Sequence, residues 1–313
     1  MSLAILIQTY NCYKFLENNV QTVKQYINKI DGYNTIEIVV SNNCSPDDTD
    51  EIVNKFIKAN PELNINYLIQ ETNIGLENNA LEVLKYAEGE YVMYLGDDDY
   101  VDILYMQGVI QQIKNHKEIH CIIPSFAAVD LTGKQIGGGR DLKQGSTFHK
   151  AGFENCLQNS WRGHQLSGLV LKRENLYQTY IDRQVGNIYL FIFFVGYCCL
   201  NGDTYHFTDH PIKVTVPGQE NKDWNYGKDG LLNEIFDNYK KLPVSYFQKT
   251  LLQLKFFRIQ SSRLWRYIRI NRKTFFKAFF KILFSSKSTF LFKIVFPFEV
   301  LRQYVAEKIK KHS

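Results

Sequence analysis

The stretch Tyr91-Val92-Met93-Tyr94-Leu95-Gly96-Asp97-Asp98-Asp99 decides how this chain is read. Its first five residues are an apolar and aromatic run of strand length. The run ends in a knot of three adjacent carboxylates. Carboxylates packed together repel in a site of reduced dielectric, so the knot needs a positive partner. A divalent cation with oxygen ligands, Mn2+ or Mg2+, meets that need and commonly bridges to substrate phosphates. A solvated acidic turn is the plainer alternative, and three further strand-end loops weigh against it.

Working outward, strand and helix signals alternate. Leu3–Thr9 is a β-type run. Tyr13–Lys29 has helical periodicity, with Phe15, Leu16, Val20, Val23, Tyr26, Ile27 and Ile30 on one face. Ile36–Val40 reads as a strand. Asp47–Asn60 reads as a helix, with Ser45 as N-cap and Pro46 at its first position. Ile65–Gln70 is a strand, Leu76–Ala87 a helix, Ile103–Asn115 a helix and His120–Ser125 a strand. This alternation predicts an α/β fold: a mostly parallel sheet with right-handed crossovers and helices on both faces. Downstream, Asp130 to Phe148 reads as a loop or irregular hairpin and Gln165–Lys172 as a strand returning to the sheet. Gly186–Asn201 reads as a helix, Thr204–Val216 as one or two strands, and the chain as helical beyond Asn221. The expected division is an α/β domain over residues 1–220, in two halves that meet near residue 125. A helical, basic region over 221–313 follows.

Composition bounds the class. The chain has 313 residues, 45% hydrophobic and 22% charged, ordinary for a folded protein with a real core. The N-terminus runs straight into a strand signal without a basic region or cleavage site, so no leader is expected. No uncharged apolar run is long enough to span a bilayer. The six cysteines show neither C-x-x-C nor metal-ligand spacing, which fits idle thiols in a reducing cytosol. Net charge is +5 but uneven: from Lys255 onward fifteen Lys and Arg face two acids, so residues 1–254 are net acidic.

Four loops follow the four strands of the first half: Gln8-Thr9-Tyr10-Asn11, Ser41-Asn42-Asn43-Cys44-Ser45, Glu71-Thr72-Asn73-Ile74-Gly75 and Gly96-Asp97-Asp98-Asp99. Ligands of parallel sheets bind outside the carboxyl ends of the strands. Any one loop is a weak signal; all four in order are a strong one. On Thr9-Tyr10-Asn11, Asn42-Asn43 with Asp47-Asp48-Thr49, Asn73-x-Gly75 and Gly89-Glu90-Tyr91 before the acidic cluster, the chain resembles family 2 glycosyltransferases of the GT-A fold. Asn73-x-Gly75-x-x-x-Asn79 with Leu95-Gly96-Asp97-Asp98-Asp99 is most similar to the abequosyltransferase-like branch of bacterial surface-polysaccharide enzymes. Ser167-Gly168-Leu169-Val170-Leu171-Lys172-Arg173 is a weaker echo near the acceptor.

The resemblance implies roles. Tyr10 is expected against the base, with Thr9 and Asn42 at its edge and Asn11 in the same loop. Asn73 and Asn79 are expected near the ribose or diphosphate. Asp98 is the first metal ligand, with Asp97 on the sugar or ribose and Asp99 supporting the metal. The usual Asp of the Asn42-Asn43 pair is missing, which leaves the base open, with a UDP-sugar first among donors. Inverting relatives carry Asp where this chain has Gly186-Asn187, and Asn accepts no proton at neutral pH. Asp182 and His164 are the substitute base candidates; a surface carboxylate and a hydrogen-bonded core histidine are the plainer readings.

The basic tail carries fourteen aromatics after Lys255, Phe275, Phe276, Phe279 and Phe280 among them, punctuated by Lys277, Lys281 and Lys287. Basic amphipathic helices with aromatic faces lie on anionic membranes. The expectation is a metal-dependent, inverting glycosyltransferase peripheral to the cytoplasmic face of the membrane. Residues 1–220 would be its catalytic domain, with the nucleotide-sugar half to about 125 and the acceptor half over 126–220. Its acceptor would be a glycan or lipid-linked glycan, and a homodimer is a further expectation. Packing of the tail on the catalytic unit or a second subunit is the alternative. Nucleic acid is not an expected partner, because the acidic first half would repel it. A nucleotidyltransferase would need a Gly-rich basic loop where Thr9-Tyr10-Asn11-Cys12 stands. A catalytically silent membrane-bound scaffold is the rival from another class.

Overall fold

A computed structural model describes residues 2–27, 36–216 and 231–312. Four parallel strands open the fold: β1 (Leu3–Thr9), β2 (Ile36–Asn42), β3 (Asn64–Ile69) and β4 (Tyr91–Gly96). They alternate with α1 (Tyr13–Ile27), α2 (Thr49–Ala59) and α3 (Gly75–Tyr86), and α4 (Ile103–Asn115) leads on to β5 (Ile119–Val129). Strands β6 (Gln135–Arg140), β7 (Thr147–His149), β8 (Val170–Lys172) and β9 (Asp203–Thr215) complete a mixed sheet, ordered β3-β2-β1-β4-β8-β5-β9-β7, with β6 on β5. β8 is antiparallel to both β4 and β5, while β9 runs parallel to β5. Helices α5 (Phe153–Asn159), α6 (Leu176–Asp182) and α7 (Leu190–Asn201) lie between the later strands, with a 3-10 helix at Ser160–His164. The tail is α8 (Leu231–Lys241), α9 (Tyr246–Gln260), α10 (Ser262–Ile270), α11 (Arg272–Leu283) and α12 (Phe290–His312).

Strand alternation sorts side chains onto two faces. Leu3, Ile5, Ile7, Met93 and Leu95 pack with α1, α2 and α4. Ala4, Leu6, Val92 and Tyr94 face α3, α6 and α7. That second core runs on through Ile235, Phe236, Phe256, Phe257, Phe292 and Phe296, so the tail helices share a core with the sheet. α7 is apolar nearly all round because the sheet, α5 and α8 enclose it.

Several boundaries depart from the sequence reading. The second helix begins at Thr49, not Asp47. Ser45 caps nothing there; its hydroxyl accepts from the Asn11 N–H at 3.0 Å, and Asp47 accepts from the Thr49 N–H. The strand expected over Gln165–Lys172 shrinks to β8, because Gly168 turns the chain at a φ of +79°. The segment expected as a loop or irregular hairpin holds an irregular hairpin, β6 returning antiparallel on β5 with a register shift, and β7 pairs with β9. The helix expected from Gly186 begins at Leu190, and helices α5 and α6 had no sequence signal. Ile30 and the residues around Asn221 lie outside the described residues.

Candidate active site

The strand order reverses between β1 and β4, since β1 leads to β2 on one side and β3 crosses to β4 on the other. A crevice at that switch point is where sheets of this kind bind ligands. In register, Gln8 stands beside Gly96 and Thr9 beside Asn42. Gln8 Nε2 and Thr9 Oγ1 are buried there without a hydrogen-bond partner. Buried polar atoms are nearly always paired, so orphans on two successive residues at this strand end, one on either face of the sheet, stand out.

The acidic knot is split by its surroundings. Asp99 is folded inward: Oδ2 accepts from Ser167 Oγ at 2.5 Å and Gln165 Nε2 at 3.2 Å, and Oδ1 from the Thr215 N–H at 2.9 Å. Burial pushes its carboxyl up to about 7, the Asp98 charge adds to this, and the Ser167 hydrogen bond opposes it. Asp97 is buried and Asp98 half-buried. The turn itself is clamped from three sides. Asn19 of α1 donates to the carbonyls of Gly96 (2.9 Å) and Asp99 (2.8 Å), Thr215 Oγ1 donates to that of Asp98, and the Gly96 N–H donates to Ser167 Oγ. Sequence reading did not find these clamps. Asn19 and Thr215 lie far off in the chain, and only Ser167 carried a signal, through the Ser167-Gly168 echo.

The other loops form one hydrogen-bonded sheath. Asn42, buried, donates to the Tyr67 hydroxyl at 3.0 Å and accepts from the Ser45 N–H at 2.9 Å. Tyr67 ionises only well above its usual range, through burial first and despite the Asn42 hydrogen bond. Asn43 donates to Asn73 Oδ1 at 2.9 Å and accepts from the Ile74 N–H at 2.8 Å. Asn79 is buried with both amide atoms on Ser41: Ser41 Oγ donates to Oδ1 at 2.5 Å and Nδ2 donates to the Ser41 carbonyl at 3.3 Å. It therefore braces β2 against α3. Tyr10 and Asn11 stand exposed at the β1 loop, and Asn11 holds a left-handed φ of 55°.

The base candidates separate. His164 ends the 3-10 helix, one residue before Gln165 and three before Ser167, both of which hold Asp99. Its ring stacks on Trp161, and Nδ1 lies 3.0 Å from the Trp161 carbonyl. Asp182 is exposed at the last turn of α6 and accepts from Gln178 of its own helix at 2.6 Å. Asn187 is buried in a reciprocal amide pair with Asn238 of α8, at 3.0 and 3.1 Å.

A second polar cluster supports the 3-10 helix. Asp141 Oδ2 accepts from Arg162 Nε at 2.7 Å, with His206 Nε2 at 3.1 Å and Arg140 Nε at 3.5 Å. Burial works against its ionisation, but His206, Arg162 and Arg140 together hold the carboxyl well below the usual range. Burial pushes the Arg140 guanidinium down to about 9. Arg140 also donates to the carbonyls of Arg162 (2.6 Å) and Pro124 (2.7 Å). No sequence motif announced this cluster.

Among the described residues no three His, Cys, Asp or Glu side chains form a ready-made metal cage. Mg2+ and ions like it are usually held by one or two carboxylates plus substrate phosphates, and a half-buried Asp98 beside Asp97 suits that donor set.

Residues 4–159 match the family described as Glycosyl transferase family 2. The chain belongs to that family. Among its relatives is the poly(ribitol-phosphate) beta-N-acetylglucosaminyltransferase TarS of Staphylococcus aureus, 34% identical over 178 residues, 56% of this chain and 28% of TarS. The minor teichoic acid biosynthesis protein GgaB of Bacillus subtilis is 30% identical over 133 residues, 42% of this chain and 14% of GgaB. The chain thus spans less than a third of the length of either relative. In three dimensions it resembles S. aureus TarS 1-349 in complex with UDP-GlcNAc, with a TM-score of 0.67 at 18% identity over 90% of this chain and 81% of that one. It also resembles the mannosyltransferase PcManGT of Pyrobaculum calidifontis in complex with GDP-Man and Mn2+, with a TM-score of 0.56 at 12% identity over 90% and 87%. The fold is therefore the GT-A fold of this family, continued into a helical C-terminal region.

Proposed function

We propose that this chain is a glycosyltransferase that moves a sugar from a nucleoside diphosphate to a hydroxyl of a bacterial surface polymer. The observation that carries the reading is the pair of orphaned polar atoms, Gln8 Nε2 and Thr9 Oγ1, buried at the switch point beside the acidic turn. The activity named for TarS and its complex with UDP-GlcNAc support a UDP-sugar donor and a polyol-phosphate or related glycan acceptor; a lipid-linked form of that acceptor is part of the proposal.

Tyr10 packs on the base, with Thr9, Asn11 and Asn42 around it. Asn73 lies toward the ribose or diphosphate, which Asn79 supports from beneath through Ser41. Asp97 takes a sugar or ribose hydroxyl. Asp98 is the ligand for Mn2+ or Mg2+, and Asp99, held by Ser167, Gln165 and Thr215, fixes the turn that presents it. Bound there, the cation supplies positive charge opposite the departing diphosphate. The acceptor oxygen bonds to the anomeric carbon as the bond from that carbon to the diphosphate oxygen breaks, with inversion. The acceptor proton passes to His164: with Nδ1–H directed at the Trp161 carbonyl, Nε2 keeps the lone pair. Asp182, bonded to Gln178 on the outer end of α6, is the weaker candidate.

Transfer from UDP-GlcNAc to a polyol-phosphate acceptor, assayed with Mn2+, tests this reading. Full turnover by Asp98→Ala would rule the metal role out. Replacing His164 by Gln should lower transfer by about two to four orders of magnitude with donor binding retained, whereas Asp182→Asn should leave transfer near the parent's rate. The locked Asn187–Asn238 pair, standing where inverting relatives carry Asp, favours a second reading: a silent nucleotide-sugar-binding scaffold. Binding of donor without turnover on any acceptor pool would favour that reading.

A further inference from the structure

We infer that α11 and α12 form a docking surface for an anionic lipid bilayer and lie in its plane. α11 buries Phe275, Ala278 and Ile282 against the tail core. Another side of the helix carries Phe276, Phe280 and Phe284, four residues apart and all exposed, Phe284 at 74%. Their rings stack along the helix, with centroids 6.4 and 6.0 Å apart. Lys273, Lys277 and Lys281 run beside them, exposed at the same spacing. α12 repeats the arrangement. Phe292, Phe296 and Val300 are buried, while Phe290, Ile294, Phe298, Leu301 and Val305 form an exposed stripe. Phe290 and Phe298 are 67% and 68% exposed.

Exposed Phe and Leu at helical spacing call for an apolar partner, and the lysines call for an anionic one. A bilayer with anionic headgroups supplies both at the depth an interfacial helix reaches. A second copy fits poorly. Residues 255–313 hold fifteen basic residues against two acids. Of those acids, Glu299 is turned inward to Arg258 and Arg302, so it cannot offset the partner's lysines. Among the described residues no helix is long and apolar enough to cross a membrane, which leaves lying in the interface as the mode for these helices.

Co-sedimentation of the full chain with vesicles tests the inference. Phosphatidylcholine vesicles containing phosphatidylglycerol should pellet the protein, at low salt, at least about tenfold better than pure phosphatidylcholine. Lys273→Glu/Lys277→Glu/Lys281→Glu should lose that preference, and Phe276→Ser/Phe280→Ser/Phe284→Ser should lose binding. Both variants should keep the parent's melting temperature and its UDP-GlcNAc binding, which separates failure of this surface from failure of the donor site. A parent that stays in the supernatant would overturn the inference, as would folded variants that pellet as fully as the parent. So would a dimer seen by light scattering that the Phe variant dissolves.

Discussion

Asp98 and Asp99 are chemically the same but differently set: Asp98 is half-buried and Asp99 buried. Asp98 is the proposed metal ligand, so Asp98→Ala should lower turnover by roughly two to three orders of magnitude, the scale of losing one transition-state charge contact, and should lower melting temperature less than Asp99→Ala does. Asp99 holds three donors, and Asp99→Ala orphans all of them. It should cost about 1–3 kcal/mol per stranded group at most, with partial relief by water, and so lower both stability and turnover. Thermal melts and kinetics on the two variants distinguish these outcomes. Asp141 makes a pH prediction. Its folded carboxyl is depressed, so its contribution is present above the unfolded value near ~4 and fades as pH falls through that range. His206, whose proton affinity is lowered mainly by burial, adds a loss with the same sign from about pH 6.5 downward. Melting temperature should therefore drop in acid, and Asp141→Asn should flatten the lowest-pH part of that drop. At neutral pH the same variant should lose on the order of 3–5 kcal/mol, because it strands buried arginines.

At the scale of elements, the acidic turn is positioned by α1, β9 and the Gln165–Gly168 turn as much as by its own strand. Gly168 sits at a positive φ, and an added Cβ would lie 2.6 Å from Ile212 Cγ1. Gly168→Ala should thus destabilise the chain by about 1–3 kcal/mol and shift Ser167 off Asp99, seen as a lower denaturation midpoint and a raised donor KM. The repeating strands and helices of the first half were legible because their periodicity is local: Ile103–Asn115 matches to the residue. The strand-end loops were legible for the same reason, since each directly follows its strand. What could not be read was tertiary. Asn19, Gln165 and Thr215 meet the turn only after folding, and Asp141 meets Arg162 and His206 across three elements. Asn79 matched a motif, yet the structure turns it inward to Ser41. The sequence pattern fixes which residue type stands there, not which way it faces.

On the scale of the whole molecule, one apolar core ties the sheet to the tail helices through α7. The tail accordingly should not come away as an independent unit: truncation after Thr215 should uncover the side of α7 at Gly196, where Leu242 packs, and give an aggregating product, checked by light scattering. The proposal that the switch-point crevice holds a metal-bridged nucleotide sugar unites the orphaned β1 atoms with the half-buried Asp98. Calorimetric titration of UDP-GlcNAc, with and without Mn2+, into the parent and Asp98→Ala tests it most directly. Binding that strengthens with Mn2+ in the parent and loses that gain in the variant is the expected result. Donor binding indifferent to both the ion and Asp98 would contradict it.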